Sequence, residues 1–400
     1  MYNKTNNKAL LAFSVVLSGF VSVTADAIEA RPHKAGNFDV TASINSALGY
    51  SDNAFRGSTV EESTAFFQFE PLVQAINETA KRRITFEYEG DGNLFFDNSG
   101  DNFLSTKLHA EYLAKVNATS EFGLGVNFED GNTIRGTDIL EGTNGIVDGP
   151  TEFTRQGFSA DYRLGSEKVG PSLELGYEYI DLEFDNFPEI NFGRDYELSL
   201  FSARLAYQYS VATQLFVDLA YGDFNYSDPF ALVGTELDNS ESSVLAGVKW
   251  RFSRLTSGEV SLGVTKKDFD NINVDESVTT WNAQIEWAPS PRDTVVIESF
   301  SKPLEQAGTG LFQEVKQLSV SWERSLSPRW GLTTSLTTGS VDFESVTRDD
   351  DYDQLGFGVK YRSSKIAEWN LSYEYQDKDS NLAQFDFDSN TILLSFEIGL

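Results

Sequence analysis

The stretch Ser172-Leu173-Glu174-Leu175-Gly176-Tyr177-Glu178-Tyr179 decides the fold class. Leu173, Leu175, Tyr177 and Tyr179 alternate with Ser172, Glu174, Gly176 and Glu178, a period of two rather than 3.6. A strand written this way turns one face to oil and the other to water. The pattern recurs through Trp281, Ala283, Ile285 and Trp287, through Leu355, Phe357, Val359 and Tyr361, and through Trp369, Leu371, Tyr373 and Tyr375. After the first few dozen residues no helix-period segment of comparable length interrupts it. The sequence predicts an all-β chain.

Composition narrows the class further. The 400 residues carry 31 Lys+Arg against 61 Asp+Glu, a formal charge of −30, with no Cys and 13% aromatics. Without Cys there is no disulfide framework and no Cys-based zinc or iron–sulfur site. So acidic a surface lacks the basic footprint that nucleic acid needs. The aromatic content argues against disorder. The mean hydropathy of −0.31 reads as soluble. Taken alone it misleads, because a sheet with one wet face averages its two faces.

The N-terminus reads as an export signal. Lys4 and Lys8 precede an apolar run from Ala9 to Val21, and Ala25-Asp26-Ala27 offers small residues where a signal peptidase cuts. The run is too short to span a bilayer. Residues 1–27 are expected to be removed, with Ala30 as an alternative cut, and the loss of two Lys and one Asp leaves the chain one unit more acidic. Residues 28–37 then form a short periplasmic segment ahead of a barrel spanning 38–400.

Turn signals fall in an unequal rhythm. Short turns are expected near Asn77–Lys81, Val116–Thr119, Ser166–Gly170, Ser210–Thr213, Ser253–Ser257, Pro289–Arg292, Ser327–Arg329 and Ser363–Lys365. Longer polar loops centre on Asp52–Glu62, Asp91–Asp101, Glu129–Glu152, Asp185–Asp195, Ser227–Asn239, Asp268–Glu276, Lys302–Gly310, Asp342–Asp353 and Asp377–Asp386. This rhythm separates eighteen strands, at about forty residues per hairpin, too widely spaced for a sandwich whose turns recur every 8–12 residues. A propeller needs four short strands per repeat and a blade motif. The remaining solution is a transmembrane antiparallel up-and-down β-barrel with short periplasmic turns and long extracellular loops. Lipid offers no partner to backbone N–H and C=O groups, so a spanning sheet must close on itself. Pro71 interrupts the second long strand, and sixteen strands remain possible if the Asp52–Asp101 region pairs differently.

Side chains at the two ends fit that orientation. Trp250, Trp287, Trp322, Trp330 and Trp369 lie close to short turns, where an indole prefers the headgroup level, and so are expected to form a periplasmic girdle. The last strand alternates Ile392, Leu394, Phe396, Ile398 and Leu400 to the final residue, similar to the assembly signal read by barrel-assembly machinery, although that signal usually ends in an aromatic. The long loops are acidic, Asp342, Glu344, Asp349, Asp350, Asp351 and Asp353 in one of them, while the short turns gather Lys81, Arg82, Arg83, Lys115, Lys168, Arg251, Arg254, Arg292, Arg329, Arg362 and Lys365. Either both ends are solvated faces, or the acidic loops hold divalent cations beside surface lipopolysaccharide. Asp349-Asp350-Asp351 lacks the spacing of an EF-hand loop, so no dedicated metal site is expected.

The segment Leu48-Gly49-Tyr50-Ser51-Asp52-Asn53-Ala54-Phe55-Arg56 resembles the tyrosine–aspartate–asparagine–phenylalanine segment of the putative β-barrel porin 2 family, and the hairpin spacing extends the likeness from Asn37 to Leu400. The resemblance implies a bacterial outer-membrane barrel. Several members of the family sit with capsule or exopolysaccharide machinery, which implies periplasmic and inner-membrane export partners.

Chemistry candidates are few. His33 lies in the N-terminal segment, and His109 is in phase with Glu111. A Ser–His or Asp–His hydrolase would depend on His109 alone, and no nucleophile motif accompanies it. No enzyme and no cofactor are expected. Gly123-Leu124-Gly125 and Gly356-Phe357-Gly358 are glycines on one strand face rather than phosphate loops, since no helix follows.

The face opposite the apolar one is expected to line the lumen. It carries Glu87, Glu89, Glu111, Asp161, Glu174, Glu178, Asp218, Glu286, Glu298, Glu323, Glu374 and Glu397, against Arg163, Arg204, Lys249, Arg251 and Lys360. In the lipid-facing phase an Arg or Lys at midplane would cost about 2–4 kcal/mol. An open bore of this charge favours cations or neutral sugars over anions, whereas cross-linking among these groups would give a closed barrel. Phe95, Phe96, Tyr221, Phe224 and Tyr226 near the loops suit either sugar stacking or an outer aromatic girdle. The expected function is an outer-membrane channel, a conduit for exopolysaccharide or capsule export. The alternatives are a diffusion porin with an acidic lumen, a closed surface-display barrel, or a barrel hydrolase.

Overall fold

The structure is a computed structural model and describes residues 30–400 apart from 138–139, 143–146, 166–169, 231–233, 253–254 and 306–309. The expected signal peptide, Lys168 and Arg254 lie outside the described residues. A short strand β1 (His33–Ala35) precedes eighteen long ones. These are β2 (Phe38–Ser51), β3 (Thr64–Glu78), β4 (Arg82–Phe95), β5 (Phe103–Lys115), β6 (Ser120–Thr133), β7 (Thr151–Gly165), β8 (Gly170–Phe184), β9 (Tyr196–Ser210) and β10 (Thr213–Tyr226). They continue through β11 (Asn239–Arg251), β12 (Thr256–Phe269), β13 (Asp275–Ser290), β14 (Asp293–Glu305), β15 (Phe312–Ser325), β16 (Trp330–Phe343), β17 (Arg348–Ser364), β18 (Ala367–Ser380) and β19 (Phe387–Gly399).

Each long strand pairs antiparallel with the next, and β19 pairs with β2 from Thr391↔Ser51 to Gly399↔Ser43. The sheet therefore closes with eighteen strands and leaves no edge, which is the condition for crossing lipid. At 13–17 residues the strands exceed the 9–11 that hydrocarbon requires. β1 folds back on β2, His33 opposite Val40, so the segment before the barrel forms a tight hairpin.

Sixteen strands are excluded by the way Pro71 is accommodated. β3 runs unbroken from Thr64 to Glu78, and its ladder to β4 passes from Phe69↔Gly92 to Leu72↔Glu89, skipping the position where proline has no N–H to give. Opposite it stands Gly90, whose missing Cβ would lie 2.9 Å from Pro71 Cγ. Proline and glycine fit each other, and the strand survives.

The described short turns lie where the sequence places them, while those expected at Ser166–Gly170 and Ser253–Ser257 fall largely outside the described residues, and Ser, Thr and Asn side chains cap several of the turns described. Ser327 Oγ accepts from the Arg329 and Trp330 N–H groups, and Asn117 Oδ1 accepts from the Thr119 N–H. Several of the long loops are shorter than the sequence suggests, while those at 52–63, 185–195 and 227–238 keep the expected span. The expected 342–353 loop reduces to 344–347, because the ladder between β16 and β17 continues to Phe343↔Arg348. Asp349, Asp351 and Asp353 stand on the outer face of an extended strand, and Asp350 turns inward.

Contacts that skip strands show which face is inside. Arg204 on β9 reaches Glu259 on β12 at 2.9 Å, across three strand spacings of about 4.8 Å each, a span that closes only on the concave side. The opposite parity carries exposed Phe201, Leu205, Leu215, Leu262, Leu371 and Ile392, the band that meets acyl chains.

Apolar packing concentrates inside the loop end. Leu182, Tyr196, Leu198, Leu200, Phe224, Tyr226, Phe269 and Phe312 from the strands cluster with Phe230, Leu237 and Leu311 from the loops. Phe95 belongs to a second cluster with Phe55 and Phe66. Phe95, Phe224 and Tyr226 are thus buried inside the barrel rather than displayed, and neither sugar stacking nor an outer girdle describes them. Tyr221 and Phe96 remain exposed.

The residues of the Tyr50–Arg56 segment close the seam. Asp52 accepts both the backbone and the side-chain N–H of Asn390, at 2.7 and 2.8 Å. Asn53 donates to the Asp388 and Gly57 carbonyls, both at 2.9 Å, and accepts from the Gly57 N–H at 2.8 Å. Ser51 meets Ser389. Phe55, 1% exposed, wedges between Phe95 and the loop that follows. These few short polar side chains extend the β2–β19 ladder into the loops beyond it.

Candidate functional site

The candidate site is the barrel interior, built from the inward parity of all eighteen strands. In the wall of β9 to β12, Arg204 Nε and Nη2 donate to Asp218 at 2.6 and 2.7 Å, and Arg204 shares Glu259 with Lys249, which lies 3.0 Å away. The Arg204 guanidinium also lies 4.1 Å from the Phe216 ring centre. Arg163 pairs with Glu174 at 3.2 Å and Lys360 with Glu323 at 3.6 Å.

Other expected lumen residues are held by amides. Glu87 accepts from Gln74 at 2.7 Å, Glu298 from Gln284 at 2.8 Å, and Glu374 from Gln354 at 2.8 Å and from Gln376. Glu89 faces Lys107 across the β4–β5 ladder. Glu111 and Asp161 stand opposite Gly125 and Gly123, Glu178 opposite Ser159, and Glu286 opposite Ser257. Glu397 is paired with Glu368 on one side and Asn45 on the other, while Arg251 ends β11, exposed at the turn end. The interior is not uniformly acidic, because much of its charge is neutralised pair by pair.

Glycines alternate with small hydroxyl residues on the inward face. A Cβ on Gly125, Gly176, Gly356 or Gly358 would meet Ser159, Ser202, Ser335 or Thr333 respectively. His109 Nδ1 lies 2.5 Å from Asn127 Oδ1. Among the described residues no group of three or more His, Cys, Asp or Glu is arranged to hold a metal ion.

Among the cations buried at the loop end that escape the sequence reading, three are set between carboxylates and phenyl rings. Arg135, from the 134–150 loop, donates two bonds to Glu62 at 2.9 and 3.1 Å and two to Asp101 at 2.9 and 3.1 Å, and lies 4.1 Å from the Phe55 ring centre. Burial alone would lower its pKa, but the hydrogen bonds with Glu62 and Asp101 outweigh burial and hold it above the ordinary value. The same contact pulls Glu62 below the usual carboxylate range. Lys267 on β12, fully buried, pairs with Glu305 on β14 beneath Phe224, Phe269 and Phe312. Arg348 on β17 pairs with Asp350 and stacks on Phe343 and Phe385. Glu259 and Lys267 carry the period-two signal and were legible in principle, whereas Glu305, seven residues after Glu298, is in the opposite phase and reaches Lys267 only as the last residue of β14. Arg135 and Glu141 sit in a loop, where no periodicity marks direction.

The five tryptophans lie on the apolar face near the short turns. Trp250 is the penultimate residue of β11, Trp330 the first of β16 and Trp369 the third of β18, while Trp287 and Trp322 stand three residues before their strands end. Trp322 Nε1 donates to Asp293 at 3.1 Å.

The family model described as putative beta-barrel porin 2 matches residues 26–399. The chain belongs to this family. Members of this family are outer-membrane barrels of porin type, and the chain is an integral outer-membrane β-barrel of that type. A search of curated proteins finds no match. Among solved structures it is similar to OpdK of Pseudomonas aeruginosa with vanillate, at TM-score 0.53 and 13% identity over 90% of this chain and 99% of that one. It is also similar to the FrpB iron transporter of Neisseria meningitidis, at TM-score 0.49 and 8% identity over 85% of this chain, and spans 62% of the transporter's length. A bacterial polysaccharide outer membrane secretin overlaps 92% of this chain and 99% of its own, at TM-score 0.40 and 9% identity. At such identities the likeness shows the fold alone, and the secretin's overlap is too loose to bear on substrate.

Proposed function

We propose that the barrel is a passive conduit across the outer membrane, with exopolysaccharide or capsule polymer as its cargo. The observation that carries the conduit is the division of the interior. The described apolar clusters gather at the loop end, while most of the rest of the inward face is Ser, Thr, Gly, Asn, Gln and charge, with Leu72, Leu113 and Phe216 interspersed. A wall of small hydroxyls and exchangeable amides suits sugar hydroxyl groups, which give and take hydrogen bonds in turn. The remaining carboxylate excess repels an acidic polymer, so a neutral or amino-sugar chain fits better. The lumen residues from Glu87 to Glu397 would line that path, and the five tryptophans would seat the barrel at the periplasmic headgroups. Export by a cleaved signal, insertion by barrel-assembly machinery, contact with lipopolysaccharide, and periplasmic and inner-membrane export partners complete the reading.

The test is planar-bilayer recording of the refolded chain, paired with measurement of surface polysaccharide in cells lacking it. Conductance steps together with lost surface polymer support the reading. A chain that never conducts removes the channel, and conductance with unchanged surface polymer removes the polymer. A second reading, a diffusion porin for small solutes, is favoured by the loops tied across the mouth through Arg135 and Glu141. In that case liposomes swell in small sugars while surface polymer is unaffected.

A further inference from the structure

On the inward face of β11, Glu241 stands between Lys267 of β12 and Gly222 of β10 in the two ladders. Lys267 is engaged with Glu305 and lies 3.9 Å from Glu241 Oε2, beyond hydrogen-bond reach. Glu241 is 9% exposed, and no described group donates to that oxygen. A covered carboxylate oxygen without a donor is costly, and protein interiors rarely leave one so. On its other side the wall is hollow, because Gly222 has no side chain to fill it. The hollow encloses about 30 Å³, and Glu241, Ser243, Thr265, Thr280 and Lys302 supply its polar lining. A water needs roughly 10–15 Å³ by this measure, so about two hydroxyl-sized groups fit and a whole sugar ring does not.

We propose that this hollow is a sugar subsite in the lumen wall, where Glu241 Oε2 accepts from a hydroxyl of a neutral sugar whose ring stays in the lumen. This deepens the polysaccharide reading and rests on it for the ligand. Charge selects the ligand class. Glu241 and Glu305 stand with Lys267 and Lys302, two against two. An ammonium or carboxylate guest would upset that balance, whereas a pair of hydroxyls leaves it intact. The lining also offers donors. Thr280 Oγ1 donates to Thr265 Oγ1 at 2.7 Å, which leaves the Thr265 hydroxyl hydrogen to give, and the Lys302 ammonium carries three N–H groups. One sugar hydroxyl thus gives to Glu241 while its neighbour accepts from Thr265 or Lys302. Leu200 and Leu245, which complete the lining, present C–H surface to the edge of the ring.

The experiment is saturation-transfer NMR on the refolded chain in detergent, with glucose, galactose and mannose as probes, since between them they present cis and trans neighbouring hydroxyls. Glucosamine and glucuronate are the charged controls. The wild-type chain should give a saturable signal with at least one neutral sugar and weaker ones with both charged sugars. Glu241→Gln should weaken binding about tenfold, the loss of a hydrogen bond to a charged group. Gly222→Ala keeps the test sound should that variant misfold. Its methyl would lie 3.4–3.7 Å from Leu198, Phe224 and Leu200, which is ordinary contact, so it should fold as the wild type does while weakening binding severalfold. No saturation by any of the three neutral sugars, equal affinity in all three chains, or tighter binding of a charged sugar overturns the subsite. Bilayer recording of the same preparations separates this outcome from the channel reading. Conductance without sugar binding removes the subsite alone, and sugar binding without conductance removes the channel alone.

Discussion

Replacing Arg135 with Met tests how the mouth is held. The change removes four charge-assisted hydrogen bonds while keeping a long side chain to cover Phe55. Its main effect is to leave Asp101 buried without a counter-charge. Removing one member of a buried pair costs about 3–5 kcal/mol, and because the Glu62 side chain is 32% exposed its share is discounted, leaving about 3 kcal/mol. The barrel strands do not depend on this contact, so the loss should appear as local opening of the 52–63 and 96–102 loops. At about 3 kcal/mol the opening equilibrium rises on the order of a hundredfold. Hydrogen–deuterium exchange of the folded barrel in detergent, resolved to these loops, reads it directly.

The pH dependence has a definite sign. Glu62 is held below its unfolded value by the Arg135 hydrogen bond. Its contribution is therefore present above the ordinary carboxylate pKa and is lost as pH falls through the depressed folded value. Wild-type protection of these loops should decline at acidic pH, and its advantage over Arg135→Met should shrink there. Adding Asp101→Asn and Glu62→Gln to the variant should restore most of the protection at neutral pH. Unchanged exchange in Arg135→Met, or no recovery on neutralising the two carboxylates, would refute the argument.

At the seam, Asn53→Ala removes three hydrogen bonds from a side chain that is 2% exposed, at about 1 kcal/mol each. The heat-modifiable folded band on a gel should convert at lower temperature, and an unchanged conversion temperature would deny the clasp its role. Gly90→Ala puts a methyl 2.9 Å from the Pro71 ring and should cost about 1–3 kcal/mol. The companion change Pro71→Ala should recover part of that loss in urea unfolding from liposomes. Leu371→Arg, at a position 51% exposed on the outer band, should destabilise by about 2–4 kcal/mol. Gln376→Arg, inward on the same strand beside Glu374, should cost far less in the same assay, and equal penalties would mean the two faces are wrongly assigned.

Strand parity, the two unlike ends and a strand number of sixteen or eighteen are set by the sequence alone, because they follow from local arithmetic, and the fit of Pro71 against Gly90 decides for eighteen. Period-two alternation fixes which residues share a face, turn residues fix where chain direction reverses, and lipid forces the sheet to close. The same arithmetic marks Glu174, Arg204 and Lys360 as facing water. It does not show that Arg204 would bridge to Glu259 three strands away, since closure brings together residues whose separation carries no local mark. The loops defeat sequence reading for a related reason. Nothing in the acidic run around Asp350 says that one carboxylate turns inward to Arg348 while its neighbours face out above the lipid, until the β16–β17 register fixes their parity. Nor does Glu141 declare its partners. They lie more than two hundred residues along the chain, on strands that approach it only when the barrel is closed.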